Sequence, residues 1–158
     1  MFAGLSGDPD RLQFAVRSRP TPPIDPAAAA EDQSLEGQRR ILVVEDEYLV
    51  AALAEEILMD AGYAVVVAGT AVEAIEAAVA QRPDLILMDI RLGAGPTGIE
   101  AAKEILKRTG RRCVFATAHA DQKTQAAAAV AEPMAWLQKP YSRGDLLRAV
   151  REILKTPG

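Results

Sequence analysis

Four segments end in side chains that could do chemistry together. "ILVVEDE" (41–47) closes on Glu45, Asp46 and Glu47, and "DLILMDIRL" (84–92) delivers Asp89 after the apolar run Leu85 to Met88. "CVFAT" (113–117) ends in Thr117, and "MAWLQ" (134–138) is followed by Lys139 and Pro140. Carboxylates brought close together repel, and each raises the pKa of the others unless a cation sits among them. A hard divalent ion with oxygen ligands and retained waters, Mg²⁺, suits such a group. Asp89 is then a candidate nucleophile, because a carboxylate can accept a phosphoryl group as an acyl phosphate. The metal and Lys139 would neutralise charge on the transferring group, and the Thr117 hydroxyl can hydrogen-bond a phosphoryl oxygen.

These residues share a site only if the elements carrying them end at one edge. From Arg39 onward, apolar runs alternate with helical patterns. Strands are expected at 41–44, 63–68, 85–88, 113–117 and 134–138. Leu49, Leu53 and Ile57 recur at helical spacing, and Gly62 ends that helix. Thr70 and Glu73 resemble a capping box for a helix whose stripe is Val72, Ile75 and Val79, stopped before Pro83. Pro96 stands near the start of a helix with Ile99, Ile105 and Leu106, closed by Gly110. The alanine-rich stretch 122–131 forms a fourth helix, ended by Pro133. Ser142 and Asp145 cap a last one carrying Leu146, Val150 and Ile153. Five strands alternating with five helices imply an α/β fold, a doubly wound parallel sheet covered on both faces. Ligands of such sheets gather at the carboxyl ends of the strands, where all the candidate side chains lie.

The chain of 158 residues is 49% hydrophobic and 25% charged, and its formal net charge is −4. That length suits one domain with a sizeable core. The charge balance lacks the basic footprint of a nucleic-acid binder. No apolar run approaches the ~20 residues that span a bilayer, and no secretory signal opens the chain. Neither nucleic acid nor membrane is an expected partner. The single cysteine, Cys113, cannot form an internal disulfide; it reads as a small core hydrophobe and fits a cytoplasmic setting. Residues 1–38 are rich in Pro and Ala without a hydrophobic period, so they are expected to be a flexible extension, with room for a short helix around Asp10 to Val16. The folded part is expected over 39–158.

"ILVVEDE", "DLILMDIRL", "VFATAH" and "WLQKPYS" resemble the four signature segments of the response regulator receiver domain of two-component signalling. The resemblance covers about residues 39–155 and implies a flavodoxin-like fold of the receiver type. It implies Glu45 and Asp46 as the acidic pair, with Asp46, Asp89 and the main-chain carbonyl of Arg91 holding Mg²⁺ and Glu45 acting indirectly. Asp89 would be the phospho-acceptor, Thr117 the switch hydroxyl, Lys139 the phosphate-contacting base and Trp136 the switch aromatic. The Lys139–Pro140 bond is expected to be cis. The phosphodonor would be a histidine kinase or a histidine phosphotransfer protein. "FAT" with "QKPY" further resembles a subfamily that pairs with HWE-class histidine kinases, although the glycine usual after the threonine is missing.

This sequence departs from the family pattern in places. The loop "LGAGPTG" is one residue longer, and Trp136 stands where Tyr or Phe is usual. Arg91 and His119 occupy variable positions that the family uses to tune phosphoryl lifetime. The last helix closes the chain, which reads as a stand-alone receiver that relays phosphate, sinks it or binds a partner. Such a protein assists its own phosphorylation without being an enzyme in the ordinary sense. Aspartyl-nucleophile phosphatases place an acidic residue two positions after the nucleophile, and here that position is Arg91. A flavodoxin-like flavin carrier needs a phosphate loop after the first strand, where "EDE" would repel phosphate. A pseudo-receiver, binding partners without phosphorylation, is the remaining alternative.

Overall fold

The computed structural model of the chain describes residues 38–155. The expected extension over 1–38, with its helix around Asp10 to Val16, lies outside the described residues except for Gln38. The Gln38 side chain donates to the Gly62 carbonyl at 2.9 Å.

Among the described residues five strands, β1 (Arg40–Val44), β2 (Ala64–Ala68), β3 (Leu85–Asp89), β4 (Cys113–Thr117) and β5 (Ala135–Gln138), alternate with five α-helices. The helices are α1 (Tyr48–Asp60), α2 (Ala71–Gln81), α3 (Gly98–Thr109), α4 (Gln122–Ala128) and α5 (Arg143–Lys155). All strand pairs are parallel, in the order β2-β1-β3-β4-β5. The alternation of side chains along each strand splits the core in two. Leu42, Val44, Ile86, Met88, Cys113 and Phe115 pack under α2, α3 and α4. Ile41, Val43, Leu85, Leu87, Val114 and Leu137 pack under α1 and α5.

The helix stripes differ from expectation. Leu49 and Leu53 are 78% and 55% exposed, and Val72 and Val79 are 54% and 47% exposed. The buried faces are instead Ala51, Ala54, Ile57 and Leu58 on α1, and Ala71, Ala74 and Ala78 on α2. Alanine lets a helix backbone lie close to the sheet, so the small residues turn inward and the larger ones stay at the rim. Counting only large apolar residues rotates the stripe off the true one. The stripe of α5 holds, with Leu146 and Val150 buried and Ile153 packed on them. On α3, Ile105 is buried and Ile99 packs on the core, but Leu106 is half-buried outside both core clusters, and Ala101 and Ala102 take the inner face.

The helix ends explain themselves locally. Thr70 accepts the Glu73 amide, but the Glu73 carboxylate accepts from Gly69, one residue earlier than a capping box requires. The full box is at Thr97 and Glu100, a pair not singled out in the sequence. Ser142 and Asp145 exchange both bonds, as expected. The fourth helix is shorter than 122–131: it becomes a 3₁₀ turn over Ala129–Ala131, ended by Glu132 at φ 51° just before Pro133. Strand β5 starts at Ala135 rather than Met134.

Candidate functional site

The candidate side chains converge at the carboxyl edge of the three central strands and β5. A cleft there is lined by Glu45, Asp46, Glu47, Asp89, Arg91, Gly93, Thr117, Ala118, His119 and Lys139. Strand parity decides which side each takes. Glu45 continues the Ile41–Val43 row of β1, Asp89 the Leu85–Leu87 row of β3, and Lys139 the Ala135–Leu137 row of β5. All three rows face α1 and α5. Thr117 continues the Cys113–Phe115 row on the opposite face.

Lys139 is the electrostatic hub. Its ammonium donates to Glu45 Oε1 at 2.8 Å and to Asp89 Oδ2 at 3.5 Å. The Lys139 amide donates to the Thr117 carbonyl at 2.9 Å and so anchors the residue at the end of β4. The Lys139–Pro140 peptide bond is cis, as expected. Burial alone would lower the Lys139 pKa, but the Glu45 hydrogen bond and the charges of Asp89 and Glu45 outweigh it and hold the ammonium above its ordinary value. Burial raises the Glu45 pKa, with the Asp89 charge adding to it, while the Lys139 hydrogen bond pulls the other way. Burial likewise raises the phenol of Tyr141, which packs beneath the cleft on the α1–α5 side.

Glu45, Asp46 and Asp89 each offer one carboxylate oxygen, and these oxygens lie within 4.8 Å of one another. Three hard oxygen donors against one ammonium leave the cluster net negative, so the residues fit a hard divalent cation. Asp89 and Thr117 are both buried, and Asp46 is exposed at the mouth. The Arg91 amide approaches Asp89 Oδ1 at 3.4 Å, and the His119 amide donates to the Thr117 hydroxyl at 3.2 Å. The structure therefore brings together Glu45, Asp46, Asp89, Arg91, Thr117 and Lys139.

Trp136 does not reach the cleft. Its register opposite Phe115 puts it on the Thr117 face. The indole is partly buried, with its ring centroid 5.2 Å from that of Phe115 and a 34° tilt. It packs on the Phe115 row at the edge of that core. Sequence reasoning missed Gly93, which lines the cleft beside Asp46. A Cβ there would lie 3.2 Å from Asp46 Oδ2, and Gly93 has φ +68°. The signal available was the three glycines of "LGAGPTG".

The response regulator receiver domain profile matches residues 41–151. The chain is 38% identical over 113 residues to the transcriptional regulatory protein PdtaR of Mycobacterium tuberculosis, a match covering 71% of this chain and 55% of that protein. It is 32% identical over 116 residues to the phyllosphere-induced regulator PhyR of Methylorubrum extorquens, covering 72% and 43%. It thus spans about half the length of the curated relatives it matches. Among solved structures, a CheY-like receiver domain protein from Methanospirillum hungatei superposes with a TM-score of 0.70 at 29% identity, covering 75% of this chain and 94% of that one. A LuxR-family two-component response regulator from Aurantimonas superposes with a TM-score of 0.68 at 30% identity, covering 75% and 86%. With its strand order, its acidic cleft and the profile running from β1 into α5, the chain belongs to the response regulator receiver domain family.

Proposed function

We propose that this receiver accepts a phosphoryl group on Asp89 from the phosphohistidine of a histidine kinase or a histidine phosphotransfer protein. The observation that carries the reading is the Lys139 ammonium held between Glu45 and Asp89, with the Asp46 carboxylate beside them. An oxygen of Asp89 forms the new bond to phosphorus as the donor's nitrogen–phosphorus bond breaks. The donor imidazole leaves with the bonding pair and takes up a proton. Lys139, which pairs with Glu45 and Asp89 beforehand, then pairs with a phosphoryl oxygen, and Thr117 donates its hydroxyl to another. Asp46, Asp89 and the Arg91 carbonyl would hold Mg²⁺, with Glu45 acting through its neighbours. When bound, the ion offsets the negative charge of the transferring group. Thr117 and Trp136 form the switch, and the phosphorylated state relays phosphate, sinks it or binds a partner protein. Residues 39–158 act as the receiver and 1–38 as an extension of it. Among the described residues no helix is long and apolar enough to cross a membrane, and a cytoplasmic setting is in keeping with the buried thiol of Cys113. Pairing with an HWE-class kinase is the finer form of the same reading.

Incubation with Mg²⁺ and acetyl phosphate tests it. Intact mass should rise by one phosphoryl group, and Asp89→Asn should abolish the gain while keeping the fold. Continued modification of Asp89→Asn at the wild-type rate would sink the assignment.

A further inference from the structure

Gly98 opens α3 directly against the end of β3. It is buried, and its amide donates to the Ile90 carbonyl at 2.8 Å, so helix start and strand end are tied backbone to backbone. A Cβ on Gly98 would overlap the main-chain carbonyl oxygen of Asp89. It would also stand 2.9 Å from the Asp89 carbonyl carbon and 2.9 Å from Cα of Ile90. All three are backbone atoms, so no flexible side chain can swing aside. Among the described residues the glycines with positive φ are Gly62, Gly93, Gly95 and Gly110, and Gly98 is not one of them. Proximity to Asp89, not backbone conformation, is what demands glycine here.

A side chain at position 98 must displace either α3 or the Asp89–Ile90 peptide. Helix α3 is held by its capping box and by the buried Ala101, Ala102 and Ile105. Asp89 is the last residue of its strand and is paired on one side only, with Ala116 of β4, while the pairing with β1 stops at Met88, so its peptide is the less constrained of the two. Moving that peptide re-aims the Asp89 carboxylate away from Lys139 and from the Asp46 oxygen. We propose that Gly98 is a positioning residue for Asp89: its missing side chain lets α3 abut the Asp89 carbonyl and so sets where the carboxylate points. This inference rests on the reading of Asp89 as phospho-acceptor.

The test compares wild type, Gly98→Ala and Ile105→Val, all well below their thermal midpoints so that each is folded by circular dichroism. Mg²⁺ affinity is read by calorimetry and phosphoryl gain from acetyl phosphate by intact mass. Misplacement on the ångström scale costs on the order of 10²-fold in rate, so Gly98→Ala should slow phosphorylation by about that factor. Its Mg²⁺ affinity should fall by about tenfold or more. Ile105→Val thins the same helix's packing away from the site and should keep both wild-type constants. A folded Gly98→Ala with wild-type affinity and rate overturns the inference, as does an equal loss in Ile105→Val. If Gly98→Ala is unfolded in buffer, the measurements are repeated in trimethylamine N-oxide, which favours the compact state by exclusion from the surface. Impaired constants after refolding support the proposal. Wild-type constants, or a chain that never refolds, overturn it. A wild type that takes neither Mg²⁺ nor phosphate removes the acceptor reading and this inference with it. A working wild type beside an unaffected Gly98→Ala removes the inference alone.

Discussion

At the scale of single residues, the charges of the cleft make opposite predictions for its members. Asp46→Asn removes a negative oxygen donor, so Mg²⁺ affinity should fall by about tenfold or more and phosphorylation should slow. Lys139→Ala removes the competing cation, so Mg²⁺ affinity should hold or tighten in calorimetry while phosphoryl gain falls. Unchanged Mg²⁺ affinity in Asp46→Asn would mean the metal is held elsewhere. Cys113 gives a test independent of function. Burial pushes its thiol up to about 12 from 9.0, and the side chain is inaccessible. A folded-state pKa raised above the unfolded one means that the unfolded chain ionises first. The stability is therefore whole below pH 9.0 and is lost as pH rises toward about 12. A thiol reagent at pH 8 should leave native Cys113 unmodified and label it fully in urea; rapid native labelling would contradict the burial.

At the scale of elements, the helices bury alanines and expose larger residues, and this sets the cost of substitutions. Leu53→Ala on α1 should change stability by no more than about 0.5 kcal/mol, because the side chain already lies largely in water. Leu58→Ala on the same helix should cost roughly 2–5 kcal/mol, because Leu58 is fully buried. Urea unfolding of the two variants checks the pair, and equal losses would mean that α1 is rotated relative to the sheet. The caps differ in the same measurable way. Thr97 takes part in both bonds of its box, so Thr97→Ala should lower stability by about 1 kcal/mol.

At the scale of the whole molecule, one sheet joins the cleft to the Trp136 row. Thr117 lies two residues after Phe115, on which Trp136 packs, and all three share one face. If the Thr117 hydroxyl moves toward a phosphoryl oxygen, the packing behind it must readjust. Trp136 is the only tryptophan, so its fluorescence should change on addition of Mg²⁺ and beryllofluoride, and Thr117→Ala should remove most of that change. An unaltered emission spectrum at full phosphorylation would take Trp136 out of the switch. Residues 1–37 are rich in Pro and Ala and have no hydrophobic period, so deleting them should move the thermal midpoint by no more than about 2 °C, the shift of a sub-kcal/mol change.

Strand identity, strand order along the chain and the edge that collects Glu45, Asp46, Asp89, Thr117 and Lys139 were all legible in the residues. A buried parallel strand needs an unbroken apolar run, and a polar residue at its end stands out against that run. Helix faces were less legible, because alanine carries little hydrophobic signal yet packs closest to the sheet, so Leu49, Leu53, Val72 and Val79 pointed the wrong way. The inward packing of Trp136 on Phe115 was set by contact across β4 and β5, which no spacing along one strand encodes. The same holds for Gly98. In sequence it is one glycine of a glycine-rich loop, and only the approach of α3 to the carbonyl of Asp89 makes that position intolerant of a Cβ.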